Sequence, residues 1–222
     1  MTNAMNLKWT MGNEKLNKAN GNSYRILGYG IPADFDLDGG NTCPGASACR
    51  GVCYAKQGRY MMPNVRDARR HNLDYFLKYG PNEFFLMAKQ DLMRLTKRTY
   101  NVVRIHDSGD FFSQEYLDCW KSIASAFPNV IFYAYTKSLH LDIESGRPNN
   151  LRIVQSLGGK FDKFVNYSLP HARIFASDAA RERVGYVDGN VNDLPAIEGA
   201  TCIGLVYHGI RKLTDAQKSY FG

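Results

Sequence analysis

Three cysteines fall within eleven positions of the stretch "NTCPGASACRGVCYAKQGRY", residues 41–60. Cys43, Cys49 and Cys53 are spaced C-x5-C-x3-C, and the whole chain has only five cysteines, so the grouping is not a matter of abundance. Glycine, alanine and serine separate them, and such small residues let backbone N–H groups approach sulfur. Pro44 stiffens the loop directly after the first thiol. Three chemistries are open to such a set: an iron–sulfur cluster, a zinc ion, or unligated redox thiols. Structural zinc takes four N or S ligands and often a C-x2-C pair, which this stretch lacks. A 4Fe–4S cluster takes four cysteines, or three with one iron left open. The spacing favours the cluster.

The identity of a fourth ligand decides what such a centre does. Cys202 heads the apolar run "CIGLVYHG" and follows the loop "NDLPAIEGAT", which is long enough to return it to the other three. It is the leading fourth metal ligand, with core packing or a free thiol as the other reading. Cys119 lies in a helical pattern and reads as a small buried hydrophobe. His71, His106, His140, His171 and His208 are further donors, each read first as a hydrogen-bonded or surface side chain. Four cysteines would saturate the cluster and point to electron transfer or a structural role. Three would leave an iron for a small ligand.

Polar residues recur just after apolar, strand-like runs. In "HDSGDF" (106–111) Ser108 and Asp110 are candidates for binding an amino group or a ribose hydroxyl. In "YTKS" (135–138) Thr136, Lys137 and Ser138 suit a carboxylate, and Ser168 in "NYS" and the "ASD" at 176–178 occupy similar positions. The competing reading for each is a turn or a helix cap. Arg59 and Tyr60, just past the cysteines, are candidates to cover the loop. No G-x-S-x-G elbow, phosphate-binding loop or H-E-x-x-H helix is present.

These positions need a scaffold. "NVVRIHDSGDFF" (101–112), "SQEYLDCWKSIASAF" (113–127) and "NVIFYAY" (129–135) form a β-α-β unit, with Ser113 capping the helix. A first strand is expected at 24–30, and helices at 63–79 and 82–98, interrupted by Gly80-Pro81. Beyond these, the pattern predicts a short helix at 139–145 and strands at 151–156, 163–168, 172–177, 183–187 and 202–208. A last helix is expected at 214–222, after a polar, loosely packed lead-in at 1–22. Strands alternating with helices give an α/β fold with a largely parallel sheet. The short spacing after 150 predicts a partial or irregular (β/α) barrel in a single domain over 1–222, with the cysteine loop after the first strand.

"CRGVCYAK" resembles part of the radical S-adenosylmethionine signature, C-x3-C-x2-C, whose third cysteine would fall at Lys56. Together "TCPGASACRGVCYAKQGRY", "NVRDARRHNL" and "RIHDSGDFFSQEYLDCWKSIA", with the later "YAYTKS", resemble the phage-encoded gene product 88-like family, which is similar to radical S-adenosylmethionine proteins. The resemblance spans roughly residues 10–178. It implies a viral iron–sulfur protein with a radical-SAM-like partial barrel, a 4Fe–4S cluster on Cys43, Cys49 and Cys53, and S-adenosylmethionine as a candidate second ligand. The expected chemistry is reductive cleavage of a C–S bond in a sulfur-containing small molecule, fed by a host electron donor of ferredoxin or flavodoxin type. A non-catalytic electron carrier or cluster-stapled protein is the alternative, and a zinc-stapled nucleic-acid-binding protein a third.

Composition narrows the rest. The chain of 222 residues is 44% hydrophobic with fourteen Tyr and twelve Phe, enough for a substantial core. The formal net charge of +7 favours anionic partners, but "RDARRH" and "RLTKR" read as solvated helix faces, and no nucleic-acid-binding fingerprint occurs. There is no apolar run of membrane-spanning length and no secretory signal pattern, so a cytoplasmic protein is expected, where thiols stay reduced; the family resemblance implies the cytoplasm of an infected host. A homo-oligomer is compatible with all of this.

Overall fold

The computed structural model describes residues 6–11, 24–97, 99–207 and 214. Its centre is a seven-stranded sheet curled into a half-barrel. In sequence the strands are β1 (Ile26–Gly28), β4 (Val102–Ile105), β5 (Ile131–Thr136), β6 (Leu151–Ser156), β7 (His171–Phe175), β8 (Val187–Asp188) and β9 (Cys202–Val206). The spatial order is β1-β4-β5-β6-β7-β9-β8 and every pair is parallel. A two-stranded hairpin, β2 (Asp36–Leu37) and β3 (Gly40–Asn41), stands apart in the loop after β1.

The helices are α1 (Pro63–Thr96), α2 (Gln114–Ala126), α3 (Asp178–Arg183) and α4 (Leu194–Glu198). The first joins β1 to β4 and the second joins β4 to β5. Both pack on the same face, against Leu27, Val103, Ile105, Phe132, Ala134, Leu151 and Ile153. The two long crossover helices thus lie on one side of the sheet, as helices do around a barrel. Aromatic rings fill this convex layer: Phe84 meets Tyr29, Phe76, Tyr116 and Trp120 edge-on at 5.4–5.9 Å between centroids. Strand side chains alternate between faces, so Ile26, Val102, Tyr133, Val154, Ala172 and Ile203 line the concave side. There α4 covers them with Ala196 and Ile197.

The expected helices at 63–79 and 82–98 are one helix with a sharp kink, because Gly80 takes a left-handed φ of 77° just before Pro81. Ser113 caps α2 by accepting the Tyr116 N–H at 3.2 Å, as its position suggested. The short helix expected at 139–145 does not form. The carbonyls of Asp142 and Ser145 accept instead from the Lys121 ammonium at 2.7 and 2.8 Å, so a partner on α2 replaces the helical ladder.

The strand expected at 163–168 is a 3-10 turn, Asp162–Phe164, followed by loop, because the Gln155 amide takes both the N–H and the carbonyl of Asn166. The strand expected at 183–187 is instead the end of α3 and the start of β8. The end of the lead-in is not loose. Leu7 is buried, its N–H and the Trp9 indole both donate to the buried Asp91 carboxylate at 3.1 and 2.9 Å, and Thr10 bridges antiparallel to Gly28 on the edge of β1. The helix expected at 214–222 lies outside the described residues, apart from Thr214.

Phe84 is fully buried among four rings. Replacing it with alanine is expected to destabilise the protein by about 3–5 kcal/mol, read as a fall in the urea midpoint, because the neighbouring rings collapse only partly into the vacated space.

Candidate metal centre

The cysteine loop begins from a well-anchored turn. After β1 the chain passes Pro32 and Asp34, whose φ of 50° reverses its direction. Thr42 is fully buried and closes the base of the hairpin: its N–H donates to the Phe35 carbonyl, its hydroxyl accepts from Phe35 N–H, and it donates to the Pro32 carbonyl at 2.7 Å. Cys43 follows, its N–H bonded to the Asn41 side chain at 2.8 Å and its sulfur accepting the Asp34 N–H at 3.3 Å. Three consecutive 3-10 turns, Ala48–Val52, Tyr54–Lys56 and Gly58–Met61, then carry the chain to α1. Cys49 lies in the first turn and Cys53 at the junction of the first two. The Asp34 carboxylate pairs with Arg50 at 3.2 Å and Lys56 at 2.5 Å, tying the turns back to the start of the loop.

All three thiols are half-buried and none is in a disulfide. Burial pushes the Cys43 thiol well above its usual range, helped by the nearby Asp110 carboxylate and then by Cys53 and Cys49. Cys53 is pushed up by burial first and by Cys49 next among the raising causes. The three sulfurs thus lie within one another's fields. Free thiolates would repel there, and a bound cationic centre would relieve that repulsion. Among the described residues no three His, Cys, Asp or Glu side chains converge as tightly as one metal ion requires. A single zinc needs its donors about 2.0–2.3 Å from one point. A cluster presents its irons at separate corners and accepts thiolates further apart.

The loop sits over the C-terminal ends of the strands. Gly45 lies against the β5 end so closely that a Cβ there would be 2.1 Å from the Lys137 carbonyl oxygen, and its own carbonyl accepts from Lys160 N–H at 2.9 Å. The turn after β4 holds the other side. Both the Tyr54 and Tyr60 hydroxyls donate to the Asp107 carbonyl, at 2.6 and 3.2 Å. The Asp107 carboxylate pairs with Arg69 of α1 at 2.6 Å, while Arg69 stacks its guanidinium over the Tyr60 ring. His106 (φ 64°) and Gly109 (φ 83°) make this turn tight. The buried His106 ring is kept neutral, its pKa lowered to about 3, and bonds the Tyr116 hydroxyl at 3.1 Å.

Ser108, Asp110, Thr136 and Lys137 are all brought beside the loop, but mainly as its fasteners. Ser108 accepts from Arg69 and donates to the Ile31 carbonyl at 2.7 Å. Asp110 accepts from the Thr136 hydroxyl at 2.5 Å and from the N–H groups of Phe111 and Lys137, while its own N–H donates to the Thr42 carbonyl. The Lys137 ammonium donates to the carbonyls of Ser156 and Leu157, and burial holds it below the usual lysine range while the field of Cys49 supports its charge. Ser168 is exposed, in the loop before β7, with its N–H on the Asn166 side chain; no contact joins it to the cysteines.

Cys202 is not brought to the other three. It starts β9 opposite His171, and its sulfur is 3.6 Å from His171 Nε2. Its neighbour Ile203 faces the concave side, so Cys202 points to the convex side, several strands from the cysteine loop. Cys119 is buried, its thiol against the Pro81 carbonyl. The described histidines also have other neighbours: His71 bonds the Asn6 carbonyl, His140 stacks on Phe161, and His171 bonds Tyr186. His208 lies outside the described residues. Sequence reasoning missed Asp107 and Arg69. Asp107 stood in the quoted "HDSGDF", but Arg69 was read as part of a solvated face, and no local signal distinguishes it.

The sequence model of the family described as gene product 88 matches residues 5–218. The chain belongs to the gene product 88 family. Among curated proteins it is similar to the Gene 88 protein of Mycobacterium phage D29, at 26% identity over 203 residues, covering 81% of this chain and 85% of that one. The Gene 88 protein of Mycobacterium phage L5 is 28% identical over 134 residues, 56% of each chain. No solved structure matches. No helix among the described residues is long and apolar enough to cross a membrane.

Burial raises the Asp110 pKa to about 6. An unfolded aspartate titrates near 3.9, so the folded state holds this proton more tightly. The resulting stability is full below about pH 4 and lost as pH rises through about 6. In metal-free protein the wild type is therefore expected to lose stability relative to Asp110→Asn between about pH 4 and 7, on the order of 3 kcal/mol by urea unfolding. A pH-independent difference would remove Asp110 as the titrating group.

Proposed function

We propose that this protein is an iron–sulfur protein in which Cys43, Cys49 and Cys53 hold a 4Fe–4S cluster with one iron free of cysteine. The observation that carries this reading is the placement of the three thiols. They stand in one small-residue loop, within each other's fields, pinned over the C-terminal end of a parallel half-barrel. That end is where barrel enzymes build their sites. The C-x5-C-x3-C spacing, without the C-x2-C pair common in zinc sites, supports a cluster over zinc. The position of Cys202 on the far face supports an open iron over a saturated carrier.

A reduced cluster of this kind supplies one electron at low potential. The protein's own part is to hold the loop and order the surroundings. Tyr54, Tyr60 and Arg69 clamp it to the turn after β4, and Lys137 places a buried positive charge beside Cys49. On this reading the protein is a redox enzyme, reducing a sulfur-containing small molecule. S-adenosylmethionine is the first candidate for the open iron, and a ferredoxin- or flavodoxin-type protein the electron source.

Anaerobic purification followed by iron, sulfide and zinc assays tests this directly. About four iron and four sulfide per chain are expected, with each of Cys43→Ala, Cys49→Ala and Cys53→Ala losing most of both. Cys202→Ala is expected to keep the iron content and an unchanged paramagnetic resonance spectrum in the reduced state. Adding S-adenosylmethionine should then alter that spectrum. Zinc without sulfide would sink the cluster reading, and cluster loss in Cys202→Ala would sink the open iron.

A further inference from the structure

The half-barrel is incomplete at β6. This strand pairs with β7 only through Gln155 and Ser156, so its first four residues have no partner on that side among the described strands. The crossover from β5 to β6, residues 137–150, also carries no helix. A gap in the ladder and a missing cover leave a cavity of about 600 Å³ beside β6, running to α4. That volume lies in the range of small-molecule sites. Its apolar wall comes from Leu139 and Leu141 of the crossover, Ile153 and Val154 of β6, Leu169 and Ala196.

One charged group reaches into this cavity from the sheet. Arg104, Tyr133 and Arg152 stand in register on three adjacent strands and share the concave face. Asp193 serves the first two: its carboxylate accepts from Arg104 at 2.8 Å and from the Tyr133 hydroxyl at 2.7 Å. Arg152 has no such partner. It lines the cavity, and its Nη1 is buried without a hydrogen bond. The row thus sets two guanidiniums against one carboxylate. The half-buried Arg152 guanidinium lines the cavity without a carboxylate of its own, and a planar carboxylate is its natural complement.

The acids around the cavity do not fill that role. Glu144 pairs with Arg147, the Asp142 carboxylate takes the Ser145 N–H, and Glu198 is exposed. All three stand in solvent, where their fields are screened.

We propose that this cavity binds a small monocarboxylate with a short apolar body, its carboxylate on Arg152 and its chain against the leucines. None of the lining residues belongs to the cysteine loop, so the inference stands apart from the cluster reading.

The test is calorimetric titration of the whole protein with hexanoate, beside hexanamide and hexylammonium as neutral and cationic probes. Saturable one-to-one binding of hexanoate is expected, with hexanamide weaker by about tenfold or more, the scale of a charge-assisted bidentate contact. Arg152→Gln should lose that preference, and Leu169→Trp, which narrows the cavity from its loop side and keeps Arg152, should weaken hexanoate. Circular dichroism and the melting temperature check that each variant is folded. Should Arg152→Gln fail to fold, the three probes on the wild type still decide. Equal binding of the three probes, a preference for hexylammonium, no saturation by hexanoate, or full retention of its binding by folded Arg152→Gln would each overturn the proposal.

Discussion

The turn after β4 is the anchor on which the candidate centre depends. Between His106 and Asp110 the backbone bends twice through left-handed conformations, and several polar atoms of the turn are taken by different elements, while His106 Nδ1 and Asp107 Oδ1 are buried without a partner. The Asp107 carbonyl receives two tyrosine hydroxyls from the cysteine loop and its carboxylate receives an arginine from α1. Ser108 reaches back to the chain after β1, and Asp110 reaches forward to the end of β5. The tight packing of Gly30 against the turn, where a Cβ would lie 2.0 Å from the Asp107 carboxylate, shows how little room the closure leaves. The loop holding the thiols inherits its position from this turn.

The second constraint is alternation along the strands. Convex residues meet α1 and α2, and concave residues meet α4, so moving one residue along a strand changes which core a side chain enters. This decides the role of Cys202. One position later it would face the concave side; where it stands it meets His171 on the other face. The same rule puts Arg104, Tyr133 and Arg152 in one row on the inner wall.

The β-α-β unit from 101 to 135 was legible in the sequence because its helix is long, amphipathic and capped, and its strands are bounded by turn residues. The grouping of Cys43, Cys49 and Cys53 was read from spacing alone, and the structure places that segment between β3 and α1. Beyond residue 137 the reading failed where side chains compete with backbone ladders. Lys121 captures the carbonyls that would have made a helix near 142, and Gln155 captures the backbone of Asn166 that would have made a strand. Local patterns carry no information about partners many residues away. The same blindness affected the site. Ser108, Asp110 and Thr136 were singled out as ligand contacts by their position after strands, and that position brings them to the loop. Asp110 and Thr136 bind each other, and Ser108 binds Arg69 and the Ile31 carbonyl, which only the three-dimensional arrangement reveals. The fate of Cys202 depended on register, which a sequence gap of 149 residues from Cys53 does not encode.

The three 3-10 turns of the cysteine loop run on short-range bonds: Arg50 to Ser47, Lys56 to Cys53, Gln57 to Tyr54, Tyr60 to Gln57. Two phenol hydroxyls on one carbonyl, with the Gly45 and Thr42 carbonyls nearer its start, fasten this segment to the barrel. A segment built this way opens as a unit at a free energy well below that of global unfolding. Hydrogen exchange would place it among the early-opening parts of the chain, ahead of β4 and β5. On the cluster reading, a bulky inorganic centre would therefore enter or leave by the opening of this segment alone, with the half-barrel beneath it still folded.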